Sequence, residues 1–217
     1  VILRPGSESF NSATILHKCM ASSLKDLGLP ESLIQLVPVT DRAAVNIMLQ
    51  MKEYIDVIVP RGGKTLVELV QNKAKVPVFS HLEGIVHIYV DRDADPIIAE
   101  EVIKNSKLRR PGICGAVECL LIHQDFINAN GATVISTLIN EGVEVRTDNQ
   151  LSSIEGTIPA KESDWGKEFL DKTIAARVVG NLDDAIRHIQ EYGSNHTDCI
   201  ISANSQTNQQ FCKKVDS

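Results

Sequence analysis

Apolar residues recur along this chain in two alternating rhythms: short β-branched runs, and longer stretches with apolar positions three or four apart. Val1 to Arg4 predicts a strand. Pro5-Gly6-Ser7 then turns into a helix whose Phe10, Ala13, Leu16, Met20, Leu24 and Leu27 share a face, stopped by Gly28 and Pro30. Ile34 to Val37 predicts the next strand, with Asp41 as cap of a helix carrying Val45, Met48 and Leu49. Ile55 to Val59 reads as a strand, Lys64 to Asn72 as a helix, and Val76 to Phe79 and Ile85 to Val90 as two further strands. Strands separated by helices predict a parallel sheet with right-handed crossovers, so residues 1–104 are expected to form a doubly wound α/β domain.

The same rhythm continues. Asp95 to Leu108 predicts a helix, Cys119 to Ile122 a strand, Ile127 to Ile139 a helix and Val143 to Arg146 a strand. Asn149 to Ser163 is polar, holds Gly156 and Pro159, and reads as an exposed excursion. Ile174 to Val179, Leu182 to Tyr192, Asp198 to Ile201 and Gln206 to Lys214 then alternate as strand, helix, strand and helix. A second α/β domain over residues 105–217 is expected. The chain opens on strand-like Val1-Ile2-Leu3 and ends without a closing element, which gives the expectation of an interior piece of a longer protein.

Composition narrows the classes of function. With 217 residues and 43% apolar content the chain can bury a core. Its net charge of -6 is spread out and aromatics are only 4%, so it has neither a basic footprint nor a stacking platform for nucleic acid. No apolar run reaches the about 18 to 20 residues of a membrane span, and no leader precedes the first strand. A cytoplasmic protein acting on a small molecule, away from membranes, is the expectation. Five scattered cysteines without C-x-x-C spacing speak against a disulfide framework and a zinc site, so no metal is expected. Cys119 and Cys199 fall in predicted strands and Cys19 and Cys212 in predicted helices, as packing residues do.

Cys114 has a different setting. It stands in Lys107-Leu108-Arg109-Arg110-Pro111-Gly112-Ile113-Cys114-Gly115, near two glycines and downstream of two guanidinium groups. A cysteine reacts as the thiolate, which positive potential favours, and small neighbours let a substrate carbon approach the sulfur. Cys114 is the candidate nucleophile. Arg109 and Arg110 either hold an anionic substrate group or only bias the thiol electrostatically.

Two turns lead from predicted strands into predicted helices. Arg61-Gly62-Gly63-Lys64-Thr65 ends like a phosphate loop, but the first glycine of that pattern falls at Ile58 inside a predicted strand, which speaks against an ATPase loop. Two readings remain: backbone N–H groups facing an anion at the helix start, or an ordinary turn. Arg4-Pro5-Gly6-Ser7-Glu8 offers a cation, a hydroxyl and a carboxylate suited to a nucleotide's phosphate and ribose, with helix capping by Ser7 compatible with that role. His81-Leu82-Glu83-Gly84 offers a candidate base and a glycine for close approach.

As an ordered series, Arg4-Pro5-Gly6-Ser7-Glu8, Tyr54 to Gly63, Glu83 to Asp91, Arg110-Pro111-Gly112-Ile113-Cys114 and Tyr192 to Asp198 resemble the gamma-glutamyl phosphate reductases. That family is a proline-biosynthesis branch of the aldehyde dehydrogenase superfamily, and the resemblance covers essentially the whole chain. It implies a Rossmann-like NADP(H)-binding domain, a catalytic α/β domain bearing Cys114, and a dimerisation element outside these residues, hence a homo-oligomer when complete. It places Arg61, Gly62 and Gly63 at the cofactor loop and Arg4, Ser7 and Glu8 near the adenosine end; beside these, Gly84 is a candidate cofactor contact and Arg109 and Arg110 are candidate substrate contacts. The implied reaction is reduction of L-glutamyl 5-phosphate through a Cys114 thioester. The family usually has glycine where Pro5 stands and cysteine where Val86 stands. An ordinary hydrolytic aldehyde dehydrogenase and a catalytically silent nucleotide-binding domain are the competing readings.

Overall fold

In the computed structural model of the chain, residues 1–80 and 83–217 are described, with only the backbone of Lys64. His81 and Leu82, the candidate base and its neighbour, lie outside the described residues. The chain divides after Ser80 into two compact units.

In the first unit the apolar runs form β1 (Ile2–Leu3), α1 (Phe10–Asp26), β2 (Gln35–Leu36), α2 (Ala43–Met48) and α3 (Lys64–Lys73). β1 and β2 pair in parallel, with Ile2 opposite Gln35 and Leu3 opposite Leu36. The cap expected at Asp41 is corrected: Arg42 is the N-cap of α2 and makes no side-chain capping bond, while Asp41 Oδ1 accepts the Ala43 N–H at 2.8 Å from one residue before it. The strands expected at Ile55–Val59 and Val76–Phe79 are reduced to one parallel bridge, Ile58 with Val78. Prolines explain the shortfall: Pro60 and Pro77 carry no N–H to continue a ladder. Ala21, Leu49, Val67, Val70 and Val76 are the buried apolar residues of this unit.

The second unit contains β3 (Val86–Val90), α4 (Pro96–Leu108), β4 (Val117–His123), α5 (Gln124–Asn130), α6 (Thr133–Asn140) and β5 (Glu144–Thr147). It continues through β6 (Ile158–Pro159), β7 (Thr173–Val179), α7 (Leu182–Tyr192), β8 (Asp198–Ile201) and α8 (Ser205–Lys214). Its six strands make one parallel sheet in the order β6-β5-β7-β4-β3-β8. Alternation sorts the side chains onto two faces. Val86, Ile88, Leu120, Ile122, Ile174 and Ala176 pack against Ala99 and Ile103 of α4 and Ile135 and Leu138 of α6. Tyr89, Cys119, Leu121, Ala175 and Val179 pack against Ala185, Ile186 and Ile189 of α7 and Phe211 of α8. Helices on both faces of a parallel sheet bury nearly continuous apolar strands, so β3 and β4 are buried throughout.

Three expectations are corrected here. The division drawn after residue 104 moves to residue 80, because β3 pairs with both β4 and β8 and takes α4 with it into the second unit. The single helix over Ile127–Ile139 is two helices, broken at Gly131, whose φ of 68° lies in the left-handed region. The polar excursion at 149–163 contributes edge strand β6 and buries Leu151 completely. Asp148 anchors it, accepting the N–H groups of Gln150, Leu151 and Val178. Among the described residues no helix is long and apolar enough to cross a membrane.

Candidate functional site

Cys114 sits in the loop between α4 and β4, at the amino-terminal edge of the sheet. Helix α4 enters this region from a firm start: the Asp95 carboxylate accepts the Ile97 and Ile98 N–H groups at 2.8 and 3.1 Å, with Pro96 as first helical residue. At its other end Arg109 bonds back to Asn105, and Ala116 N–H reaches Ile113 O at 3.0 Å, a tight turn around the cysteine. Cys114 is half-buried, and Gly112, Ile113 and Gly115 are exposed. Among the described residues the Cys114 and Gly115 amides donate no hydrogen bond.

Gly84 packs directly on this loop. A Cβ built there would lie 2.3 Å from the Cys114 carbonyl oxygen and 2.8 Å from the Cys114 Cβ. Its N–H donates to Glu168 Oε1 at 2.9 Å, and the next amide, Ile85, donates to Ser194 Oγ at 2.9 Å. Segments preceding β3, β4, β7 and β8 therefore converge where the thiol is. Gly84, expected beside the cofactor, is placed against Cys114.

Beneath the loop, Lys107 Nζ meets Glu118 Oε2 at 2.7 Å, both side chains essentially inaccessible. Burial pushes the Glu118 carboxyl up and the Lys107 ammonium down, while their mutual bond works against both shifts. The amides of Leu170 and Phe169 also donate to Glu118 and favour its charged form. Arg109 and Arg110 are exposed on the cysteine loop, and among the described residues neither guanidinium takes an ion-pair partner.

The cofactor candidates other than Gly84 lie in the first unit. Arg4 and Arg61 line a cleft of about 690 Å³ with Gly6, Met48, Ile58 and Leu66. Arg4 is spent on the protein itself: its guanidinium donates to the carbonyls of Thr40 at 2.6 Å and Asp41 at 3.4 Å, holding the β2–α2 connection. Arg61, Gly62 and Gly63 are exposed, and Gly63 is the N-cap of α3. Ser7 and Glu8 are exposed, and the expected cap at Ser7 is corrected: α1 starts at Phe10, after Ser9, because residues 7–9 form a turn.

Sequence reasoning missed the buried chemistry. His87, Cys119 and His188 bring three ligand-type atoms within 4.8 Å of one another. Arg177 Nη1 lies 3.2 Å from His188 Nδ1 and can only donate, so Nδ1 accepts and the ring proton sits on Nε2, 3.4 Å from Cys119 Sγ. His87 Nδ1 pairs with Asp198 at 3.0 Å. The lone pair that a metal would need from His188 thus faces Arg177, and the group is a hydrogen-bonded core element. Burial pushes the Cys119 thiol well up and His188 down to about 3. Glu168, Glu118 and Lys107 were equally hidden, since isolated charges in a sequence read as surface.

No family model matches the chain. Gamma-glutamyl phosphate reductase of Rhodopseudomonas palustris (strain BisB5) is 48% identical over 219 aligned positions, covering all of this chain and 51% of the relative. The chain spans about half the length of the curated relatives it matches. The crystal structure of gamma-glutamyl phosphate reductase from Thermotoga maritima superposes with a TM-score of 0.91 at 37% identity, over all of this chain and 52% of that one. Two structures share the fold at lower identity. An engineered glycolyl-CoA reductase with bound NADP+ has a TM-score of 0.72 at 17% identity, over all of this chain and 57% of that one. Propionaldehyde dehydrogenase of R. palustris with bound CoA and an acylated cysteine has 0.73 at 16%, over all of this chain and 58% of that one. Along its whole length the chain is therefore homologous to about half of gamma-glutamyl phosphate reductase, with an aldehyde dehydrogenase-like fold.

Proposed function

We propose that the protein reduces L-glutamyl 5-phosphate to L-glutamate 5-semialdehyde and phosphate with NADPH, through a thioester on Cys114. The observation that carries this reading is the cysteine loop itself: a half-buried thiol with two amides that donate no hydrogen bond among the described residues, walled by a glycine, in a chain homologous to named reductases of that substrate. The Cys114 thiolate attacks the acyl carbon, and phosphate leaves with the electrons of the C–O bond. The amides of Cys114 and Gly115 face the carbonyl oxygen as negative charge develops there, a contribution that is usually the largest in acyl transfer. A bound nicotinamide cofactor would supply the hydride that reduces the thioester carbon, with the aldehyde released and the Cys114 thiolate restored. Splitting the reaction gives hydride a reactive acyl carbon in place of a carboxylate.

The NADP+-bound structural neighbour supports a nicotinamide nucleotide as cofactor. The first unit's cleft, with Arg61, Gly62 and Gly63 at the start of α3, is the site assigned to it; Ser7 and Glu8 flank the adenosine end. Arg4 acts there through the carbonyls of Thr40 and Asp41, shaping the cleft. Arg109 and Arg110, exposed on the cysteine loop, supply the positive potential for the phosphate or carboxylate of the substrate. A cytoplasmic homo-oligomer is the setting this reading expects.

The test is NADP+ reduction by the full-length protein with glutamate semialdehyde, with and without inorganic phosphate. A rate that depends on phosphate establishes acyl-phosphate chemistry. Equal rates without phosphate move the protein to the hydrolytic aldehyde dehydrogenases, and activity retained in Cys114→Ala removes the thioester.

A further inference from the structure

The Lys107–Glu118 ion pair spans the base of the cysteine loop, from the last turn of α4 to the first turn of β4, with both side chains fully buried. Such a pair is weak as a source of stability, because desolvation of two charges offsets their attraction and packed apolar residues commonly do as well. A buried pair at this place needs another reason.

Glu118 is bound on both sides. One oxygen takes Lys107 at 2.7 Å, and the other takes the Leu170 N–H at 3.1 Å, with the Phe169 amide also donating. Leu170 is held at a φ of 54°, in the left-handed region that non-glycine residues rarely adopt. Its carbonyl oxygen would be 3.6 Å from a Cβ on Gly112, so this segment lies against the cysteine loop. Two residues before Leu170, Glu168 accepts the Gly84 N–H, and Gly84 is the wall against Cys114. The loop's two ends and the segment that holds its wall therefore meet at one carboxylate.

We propose that Glu118, held by Lys107, is a positioning residue that fixes the Cys114 loop for attack on substrate. It touches neither substrate nor cofactor; it sets where the sulfur stands relative to Gly84. The inference rests on Cys114 being the nucleophile, as in the reading above.

The experiment uses the full-length protein with Lys107→Met combined with Glu118→Leu, which exchanges the pair for apolar side chains of similar size. Lys104→Ala serves as control, because Lys104 pairs with Glu141 on the exposed side of the same helix. Three quantities are read: thermal unfolding, kcat and KM for phosphate-dependent NADP+ reduction, and the rate of Cys114 carbamidomethylation by iodoacetamide. The expected result is an unfolding temperature near that of the parent, KM within about threefold, and kcat and alkylation rate both lowered about 10–100-fold, the scale of a misplacement of about 1 Å. Parent-like kcat and alkylation in the folded double variant overturn the proposal. If the double variant does not fold, Glu118→Asp keeps the charge and draws the carboxylate back by one methylene. A parent-like alkylation rate there overturns the proposal, and a slowed one with unchanged unfolding supports it. Alkylation does not depend on the reaction, so loss of the phosphate-dependent activity assignment is distinguishable from loss of this one.

Discussion

Gly84 and Cys114 are packed backbone to backbone, with no room between them for even a methyl group. The contact joins the segment entering β3 to the loop entering β4, and it makes glycine a steric requirement at this position. Gly84→Ala must push the cysteine loop away or displace the bond from the Gly84 N–H to Glu168. We expect kcat to fall at least about tenfold and stability to fall by about 1–3 kcal/mol, the usual cost of overpacking. Steady-state kinetics with urea unfolding checks both. A variant with parent kcat would show that the loop yields without disturbing the thiol.

Thiol reactivity should divide the five cysteines by environment. Cys119 is fully buried and Cys199 partly so, and burial pushes both thiols up, in Cys199 with help from Asp198. Cys19 and Cys212 are exposed, and Cys114 is half-buried. In brief iodoacetamide labelling near neutral pH, Cys114 should react first, Cys19 and Cys212 more slowly, and Cys119 and Cys199 only after unfolding. Peptide mass analysis reads each site separately. Cys114 reacting no faster than Cys19 would count against an activated nucleophile.

Much of the fold was legible in the sequence because its signals were local. Leu182 to Tyr192 and Asp198 to Ile201 are a helix and a strand with the expected ends, since periodicity and caps agree there. Asn181 caps the helix by accepting the Asp184 N–H at 2.9 Å. Pairing was less legible. Ile55 to Val59 has every mark of a strand, yet neighbouring prolines leave it a single bridge, and β3 joined the second unit because of partners far along the chain. At the site, Cys114 was singled out by its neighbours in sequence, and the fold sets it half-buried in the loop between α4 and β4. Glu168, Glu118 and Lys107 did not, because each becomes significant only through a contact made by the folded chain.

Two stability predictions test the local readings without touching the site. Asp95→Ala removes the side-chain acceptor for two amides at the start of α4 and should cost about 1 kcal/mol. Gly131→Ala places a Cβ in open space at a φ of 68° and ψ of -164°, a region essentially restricted to glycine, so its cost is conformational alone, roughly 1–3 kcal/mol. Urea titration reads both. A neutral Gly131→Ala would mean that the α5–α6 break relaxes to a conformation alanine accepts.

His188 should make the protein lose stability on mild acidification. Burial, with His87 and Arg177 adding to it, holds this imidazole down to about 3, against about 6.5 in an unfolded chain. Above pH 6.5 the ring is neutral in both states and contributes nothing to the slope. As pH falls below that value the unfolded chain takes up a proton that the folded protein refuses, so unfolding is favoured by up to about 1.4 kcal/mol per pH unit, until the folded form also protonates near pH 3. The cause is structural: Arg177 already occupies Nδ1 and Cys119 lies at Nε2, so a second ring proton would face a guanidinium inside an apolar layer. His188→Gln keeps a neutral polar side chain and removes the titration. Urea midpoints measured from pH 7.5 to 5 should fall steeply in the parent and less steeply in the variant. Equal slopes in the two proteins would show that His188 accepts its proton in the folded state, with Arg177 swung away from the ring.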